Sequence, residues 1–135
     1  MNAQVQDWMT AQVISVPPSA SIDEADGIMR KKGIRRLAVK RGDELAGIIS
    51  QGDVRAAKAT AAADRGEFAR VPSVGMIMTP NPVTIPASAS VALAAHTMLQ
   101  MKVSGLPVVD EHGELCGILS DSDLFRYIVA AARAA

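Results

Sequence analysis

The chain has 135 residues, 49% of them hydrophobic, and its 14 Lys and Arg balance 14 Asp and Glu at a formal net charge of zero. That length fits one domain or two small fused repeats rather than a multidomain enzyme, and the charge balance argues against a global polyanion binder and an acidic disordered tail. Four aromatics (Trp8, Phe68, Phe125, Tyr127) imply an aliphatic core, while the lone Cys116, the absence of a leader pattern and the lack of an apolar run of ~18 residues point to a cytoplasmic setting.

In chain order, Val13 to Val16 is a short β-prone run that stops at Pro17-Pro18, because proline cannot donate to a ladder. Ser21 then caps a helix with Glu24 three residues on, Ile22, Ala25, Ile28 and Met29 share one face, and Gly33 offers a left-handed stop. Leu37-Ala38-Val39 and Leu45 to Ile49 flank Arg41-Gly42-Asp43-Glu44 as a hairpin, and a second helix follows from Asp53. The Ala-rich stretch 59–74 reads as a linker. Beyond it the order recurs: Pro82 to Ile85 as strand, Val91 to Met101 as helix, Leu106 to Val109 and Leu115 to Leu119 around Glu111-His112-Gly113-Glu114, then Leu124 to Ala132 as helix.

The recurrence is literal. A shift of 69 residues lays Trp8-Met9-Thr10 on Ile77-Met78-Thr79, Val16 to Ser21 on Ile85 to Ser90, and Leu37-Ala38-Val39 on Leu106-Pro107-Val108. Past the hairpin the shift is 70: Gly47-Ile48-Ile49-Ser50 answers Gly117-Ile118-Leu119-Ser120, and Asp53 answers Asp123. Residues 1–58 and 75–135 are therefore two copies of one β-α-β-β-α unit, an α+β fold. A unit of that size buries little apolar surface alone, so the two are expected to pack through their sheets with pseudo-two-fold symmetry, which creates two equivalent clefts between the copies where small ligands tend to bind.

Met78-Thr79-Pro80, the stretch from Val103 to Asp110 and the stretch from Gly117 to Leu124, with their echoes in the first copy, resemble tandem cystathionine β-synthase (CBS) domains, the paired arrangement called a Bateman module. The resemblance covers nearly the whole chain. It implies a non-enzymatic regulatory module that binds AMP, ADP, ATP or S-adenosylmethionine, signals by a change of shape or assembly to an effector protein not encoded here, and commonly dimerises through its helices. No catalytic cofactor is implied, and whether Mg²⁺ accompanies a polyphosphate is left open.

The chemical feature is Ser-x-x-Asp, as Ser50-Gln51-Gly52-Asp53 and Ser120-Asp121-Ser122-Asp123, each between an apolar strand and a helix. Alone it is a capping signature worth about 1 kcal/mol. Doubled at one junction in this family's fold, it suggests carboxylates that accept both vicinal hydroxyls of a ribose, with the serine hydroxyls and helix-start amides assisting. By resemblance, each site spans both copies. The first combines Ser15 and Val16 with Ser120 and Asp123, and with Arg35 and Arg36 as phosphate clamps; the second combines Thr84 and Ile85 with Ser50 and Asp53, walled by Val103, Ser104 and Pro107. The alternative for the short strands is an ordinary edge.

Arg30, Lys31, Lys32, Arg35, Arg36, Lys40 and Arg41 crowd the first copy where the second has Lys102 alone, so the two sites differ in charge. Ala38 for Pro107 and Arg41 for Asp110 are further departures between the copies. His96, His112 and Cys116 show no metal-ligand or nucleophile spacing, and no Walker loop or G-x-G-x-x-G run is present. Two other readings compete: a ligand-free structural dimerisation module, and a nucleic-acid binder through Arg30 to Arg41. The second lacks interleaved aromatics and a basic pI.

Overall fold

The computed structural model describes residues 3–11, 14–63 and 71–134. Along them run α1 (Val5–Trp8), β1 (Ser15–Val16), α2 (Ile22–Lys32), β2 (Arg36–Arg41), β3 (Glu44–Ser50), α3 (Gln51–Ala63), α4 (Val74–Ile77), β4 (Thr79–Pro80), β5 (Ile85–Pro86), α5 (Val91–Met101), β6 (Gly105–Val109), β7 (Leu115–Ser120) and α6 (Asp121–Ala134). They form two compact α+β units, one within 14–82 and one joining the opening residues to those from 83 onward. We call these the Asp53 unit and the Asp123 unit.

Both units are built alike. Ser21 and Ser90 cap α2 and α5, their hydroxyls accepting the backbone N–H of Glu24 and Leu93 at 3.0 Å each. Gly33 ends α2 at φ 66°, and α5 ends on Lys102 in the same left-handed region at φ 56°. Each hairpin is antiparallel, Arg36 pairing with Ser50 and Gly105 with Ser120, with a register irregularity in each. A parallel first strand completes each ladder, Val16 opposite Val39 and Ile85 opposite Val108. Ile22, Ala25 and Met29 of α2 cover one sheet with Leu37, Val39 and Ile49; Ala94 and Met98 of α5 cover the other with Leu106, Val108 and Leu119.

Several boundaries differ from the sequence expectation. The second strand begins at Ile85 rather than Pro82 and includes Pro86, which an edge strand tolerates because Pro86 has only a carbonyl to offer. In the first copy Ile14 stands outside the strand, and Val13 lies outside the described residues. The last helix of each copy starts at Gln51 and Asp121, directly after the strand, so Asp53 and Asp123 sit in the third helical position. Of the stretch read as a linker, residues 59–63 continue α3, 64–70 lie outside the described residues, and Ser73-Val74 open α4.

Unforeseen from sequence were α1, α4 and β4, and with them the division of the chain. The opening segment of the first copy packs in the Asp123 unit, and residues 71–82 pack in the Asp53 unit. Val5 and Val74, equivalent at a shift of 69, are both fully buried, each worth roughly 1.5–3 kcal/mol of burial. The backbone N–H of Val5 donates to Ala89 O at 2.9 Å and that of Val74 to Ala20 O at 2.8 Å. Thr79-Pro80 then pairs with Ile48-Gly47, and Thr10 makes the matching bridge to Ile118.

Gly47 and Gly117 make that approach feasible. A Cβ on Gly117 would lie 2.6 Å from Met9 Sδ and 2.8 Å from Thr10 O; on Gly47 it would lie 2.5 Å from Met78 Sδ and 2.7 Å from Thr79 O. Gly117→Ala is therefore expected to lower stability by about 1–3 kcal/mol, since a backbone oxygen must yield. Gly27→Ala, in mid-helix with nothing within 4 Å, should raise it by roughly 0.5–1 kcal/mol. Urea midpoints of the two variants check both signs.

Candidate functional site

At both strand-to-helix junctions the chain passes from the last residue of a strand into a helix without a loop, which places Ser50 and Ser120 at the cap position. The Asp53 N–H donates to Ser50 Oγ at 3.1 Å, and the Ser50 N–H donates to Asp53 Oδ2 at 2.9 Å. In the second copy the Ser120 N–H and hydroxyl donate to Asp123 Oδ2 at 2.8 and 3.1 Å, and the Asp123 N–H returns to Ser120 Oγ at 3.3 Å. Both aspartates thus complete reciprocal capping boxes. The first helical N–H is also satisfied alike, Gln51 N–H donating to Arg35 O and Asp121 N–H to Ser104 O, each at 2.9 Å.

The junctions differ in what they leave open. Among the described residues Asp53 Oδ1 and the Gly52 N–H have no partner, and Asp53 is half-buried. In the second copy the Ser122 N–H donates to Asp121 Oδ1 at 2.8 Å, and Arg126 Nη2 pairs with Asp123 Oδ1. Asp123, 1% exposed, is the one fully buried charged residue among those described. Of the helix-start amides expected to assist a ligand, that of Gly52 is left without a partner among the described residues, whereas at the Asp123 junction all three first amides are used. Arg126 was not singled out from the sequence, although its spacing of three from Asp123 on a helix is the signal that finds it.

The other expected site residues fall in distinct settings. Arg36 lies across the ladder from Ser50, so the hairpin brings it beside the junction of its own unit. Arg35 precedes it, exposed. Ser15 and Thr84 are exposed, whereas the side chains of Val16 and Ile85 sit in the cores of their units, leaving backbone as what they can offer a ligand. Val103 packs against the core of the Asp123 unit, Ser104 is exposed, and Pro107 is buried opposite Ile118.

Away from the junctions, the helix pair of each unit carries a different chemistry. Between α2 and α3, Lys58 Nζ reaches Asp23 at 3.0 Å and Asp26 at 3.3 Å, and Arg30 Nε reaches Asp26 at 3.2 Å. The hydrogen bond to Asp23, then that to Asp26, holds the Lys58 ammonium above its ordinary pKa. At the same places between α5 and α6 stand Ala92, Ala95, Leu99 and Ile128, and a groove of about 370 Å³ runs between Val91, Leu124, Tyr127 and Ile128. Trp8 docks edge-on against Tyr127, ring centres 5.4 Å apart.

No helix among the described residues is long and apolar enough to cross a membrane, and no three His, Cys, Asp or Glu are grouped to hold a metal ion. Burial pushes the Cys116 thiol up, away from the thiolate a nucleophile needs.

A family model for the CBS domain matches residues 5–60 and 74–130, the two copies. The chain belongs to the CBS-domain family. Among solved structures, the CBS domain pair of protein MJ0100 in complex with 5′-methylthioadenosine and S-adenosyl-L-methionine is 28% identical with a TM-score of 0.81, covering 97% of this chain and 99% of that one. The structure of CBSX2 in complex with AMP is 30% identical with a TM-score of 0.76, covering 96% and 98%. An inosine-5′-monophosphate dehydrogenase of Korarchaeum cryptofilum is 34% identical over 122 residues, 90% of this CBS pair. The pair spans only 24% of that enzyme's length.

In the second CBS repeat, Asp110 closes the hairpin by accepting the backbone N–H of Glu114 and of His112 at 2.9 Å each. The Glu114 N–H is the larger cause of a carboxyl held below its ordinary pKa. A depressed folded pKa stabilises the fold above the unfolded value of about 3.9 and loses that contribution as pH falls through the folded value. The stability gap between wild type and Asp110→Asn should therefore be constant above about pH 5 and shrink below about pH 3.9. Urea melts across that range measure it.

Proposed function

We propose that this CBS pair is a regulatory module that binds an adenosine-containing ligand (AMP, ADP, ATP or S-adenosylmethionine) at its Ser-x-x-Asp junctions and does not turn it over. The observation that carries the reading is the Asp53 junction. Among the described residues a half-buried carboxylate keeps Oδ1 without a partner, and so does the N–H of the preceding Gly52, groups suited to a ribose hydroxyl and a neighbouring oxygen. Support comes also from the relatives of like fold that bind AMP, 5′-methylthioadenosine and S-adenosylmethionine. In this reading Thr84, Ile85, Val103, Ser104 and Pro107 complete the Asp53 site, and Ser15, Val16, Arg35 and Arg36 complete the Asp123 site. Signalling follows from unequal affinity of the ligand for two arrangements of the protein, and the listening effector is a separate polypeptide or a fused domain. A cytoplasmic location goes with the lone Cys116.

Calorimetry with AMP, ATP and S-adenosylmethionine tests the reading. At least one should bind saturably, and Asp53→Asn should weaken its tightest event tenfold or more, as loss of a charge-assisted hydrogen bond does. No binding of any of the three would favour a purely structural module. Steeply salt-dependent binding of unrelated DNA would favour the Arg30 to Arg41 stretch as a nucleic-acid surface.

We also propose a homodimer seated on the α5 and α6 face. Leu99, Phe125 and Ile128 are 78%, 61% and 58% exposed there, and α5 carries no Asp, Glu, Lys or Arg. The equivalent face of the other repeat is an ion-pair network that an apolar surface would strip of water at a cost, so the matching surface on this chain is the same face of a second copy. Leu99→Asp with Phe125→Asp should give a monomer by light scattering where the wild type is a dimer.

A further inference from the structure

The two junctions diverge three residues past the carboxylate. In the second repeat that place is Arg126, paired with Asp123; in the first it is Ala56, exposed on α3. The pair is lopsided, the Asp123 side chain 2% exposed and the Arg126 side chain 64%. With Oδ2 accepting twice from Ser120 and the side chain only 2% exposed, the acceptor capacity left on Asp123 is at Oδ1, where a sugar hydroxyl must compete with the Arg126 guanidinium. Its departure removes the counter-charge from a buried carboxylate and leaves a cation without its partner.

A ligand that enters must make good the loss at the buried carboxylate, whereas the guanidinium, 64% exposed, passes to water and is open to a new anionic partner. Ribose hydroxyls can donate to Asp123 in place of the guanidinium, but an uncharged nucleoside offers nothing to the released cation. A phosphorylated one does, since guanidinium binds phosphate in bidentate fashion and the solvent-exposed arm of Arg126 is free to turn. We propose that Arg126 adds, beyond whatever Arg35 and Arg36 supply, a selectivity of the Asp123 junction for phosphorylated over uncharged adenosyl ligands, by covering Asp123 when the site is empty and taking the phosphate when it is filled. The Asp53 junction, with Ala56 in that place, has no such latch and accepts either kind. The inference rests on the reading that Asp123 receives the ribose.

Calorimetry with two probes, AMP and adenosine, decides it on the full chain, with the Asp123-dependent event defined as the one lost in Asp123→Asn. Arg126→Gln keeps an N–H donor for the buried carboxylate and so preserves the fold, but has no charge for phosphate. At the Asp123-dependent event wild type should prefer AMP to adenosine, and Arg126→Gln should cut that preference at least tenfold. Ala56→Arg, at an exposed helical position, should create an AMP preference at the Asp53-dependent event. An Asp123-dependent event whose AMP-to-adenosine ratio is unchanged in Arg126→Gln overturns the latch while leaving the ribose reading standing. Isotherms for both probes that are unaltered by Asp123→Asn overturn the two together.

Discussion

Two glycines without side chains hold the architecture together. Gly47 and Gly117 lie where Met78-Thr79 and Met9-Thr10 cross a hairpin strand closely enough that a methyl group would collide with a carbonyl oxygen. That contact lets Thr79-Pro80 join a sheet as a fourth strand and lets Thr10 bridge Ile118. It also brings α4 and α1 over the cores, where Val74 and Val5 are fully buried. Without it each hairpin would present an uncovered strand edge, and the small aliphatic cores of the two units would lose a wall.

The same economy of space governs the junctions. Because each strand runs straight into a helix, the first helical amides need acceptors at once, and serine, aspartate and the carbonyls of Arg35 and Ser104 supply them to all but Gly52 among the described residues. Capping by Asp53 therefore does not exclude the ligand-binding role proposed for it. A carboxylate has two oxygens, and a capping box uses one. The orientation that the cap imposes through Oδ2 fixes the position of Oδ1, which is how a structural hydrogen bond can preorganise a binding group. At Asp123 the second oxygen has acquired an internal partner, and the structural role has grown at the expense of the open one.

Duplication followed by divergence explains the remaining asymmetry. The backbone of the two repeats matches through the serine caps, the first strands and the paired stretches of the hairpins, the one-residue difference falling in the hairpin turn, because the packing that sustains it tolerates little change. The outer helix faces are free of that restraint. One became a network of Lys58, Arg30, Asp23 and Asp26, and the other an apolar groove, and neither change disturbs the sheet beneath.

Much of this was legible in the chain itself. The repeat, both hairpins, the Ser21 cap of α2, the Gly33 stop and the capping form of Ser-x-x-Asp follow from local chemistry: turns, caps and hydrophobic period are set by residues within a few positions of one another. Tertiary structure decided the rest. That residues 3–11 pack with the second copy, that α4 and β4 exist at all, that Val16 and Ile85 turn into their cores, and that Asp123 Oδ1 is paired with Arg126 while Asp53 Oδ1 has no partner among the described residues each depend on groups brought close by folding. A four-residue helix has no stability of its own to announce it in sequence, and a hydrogen-bond acceptor is free or occupied only once every neighbour has taken its place.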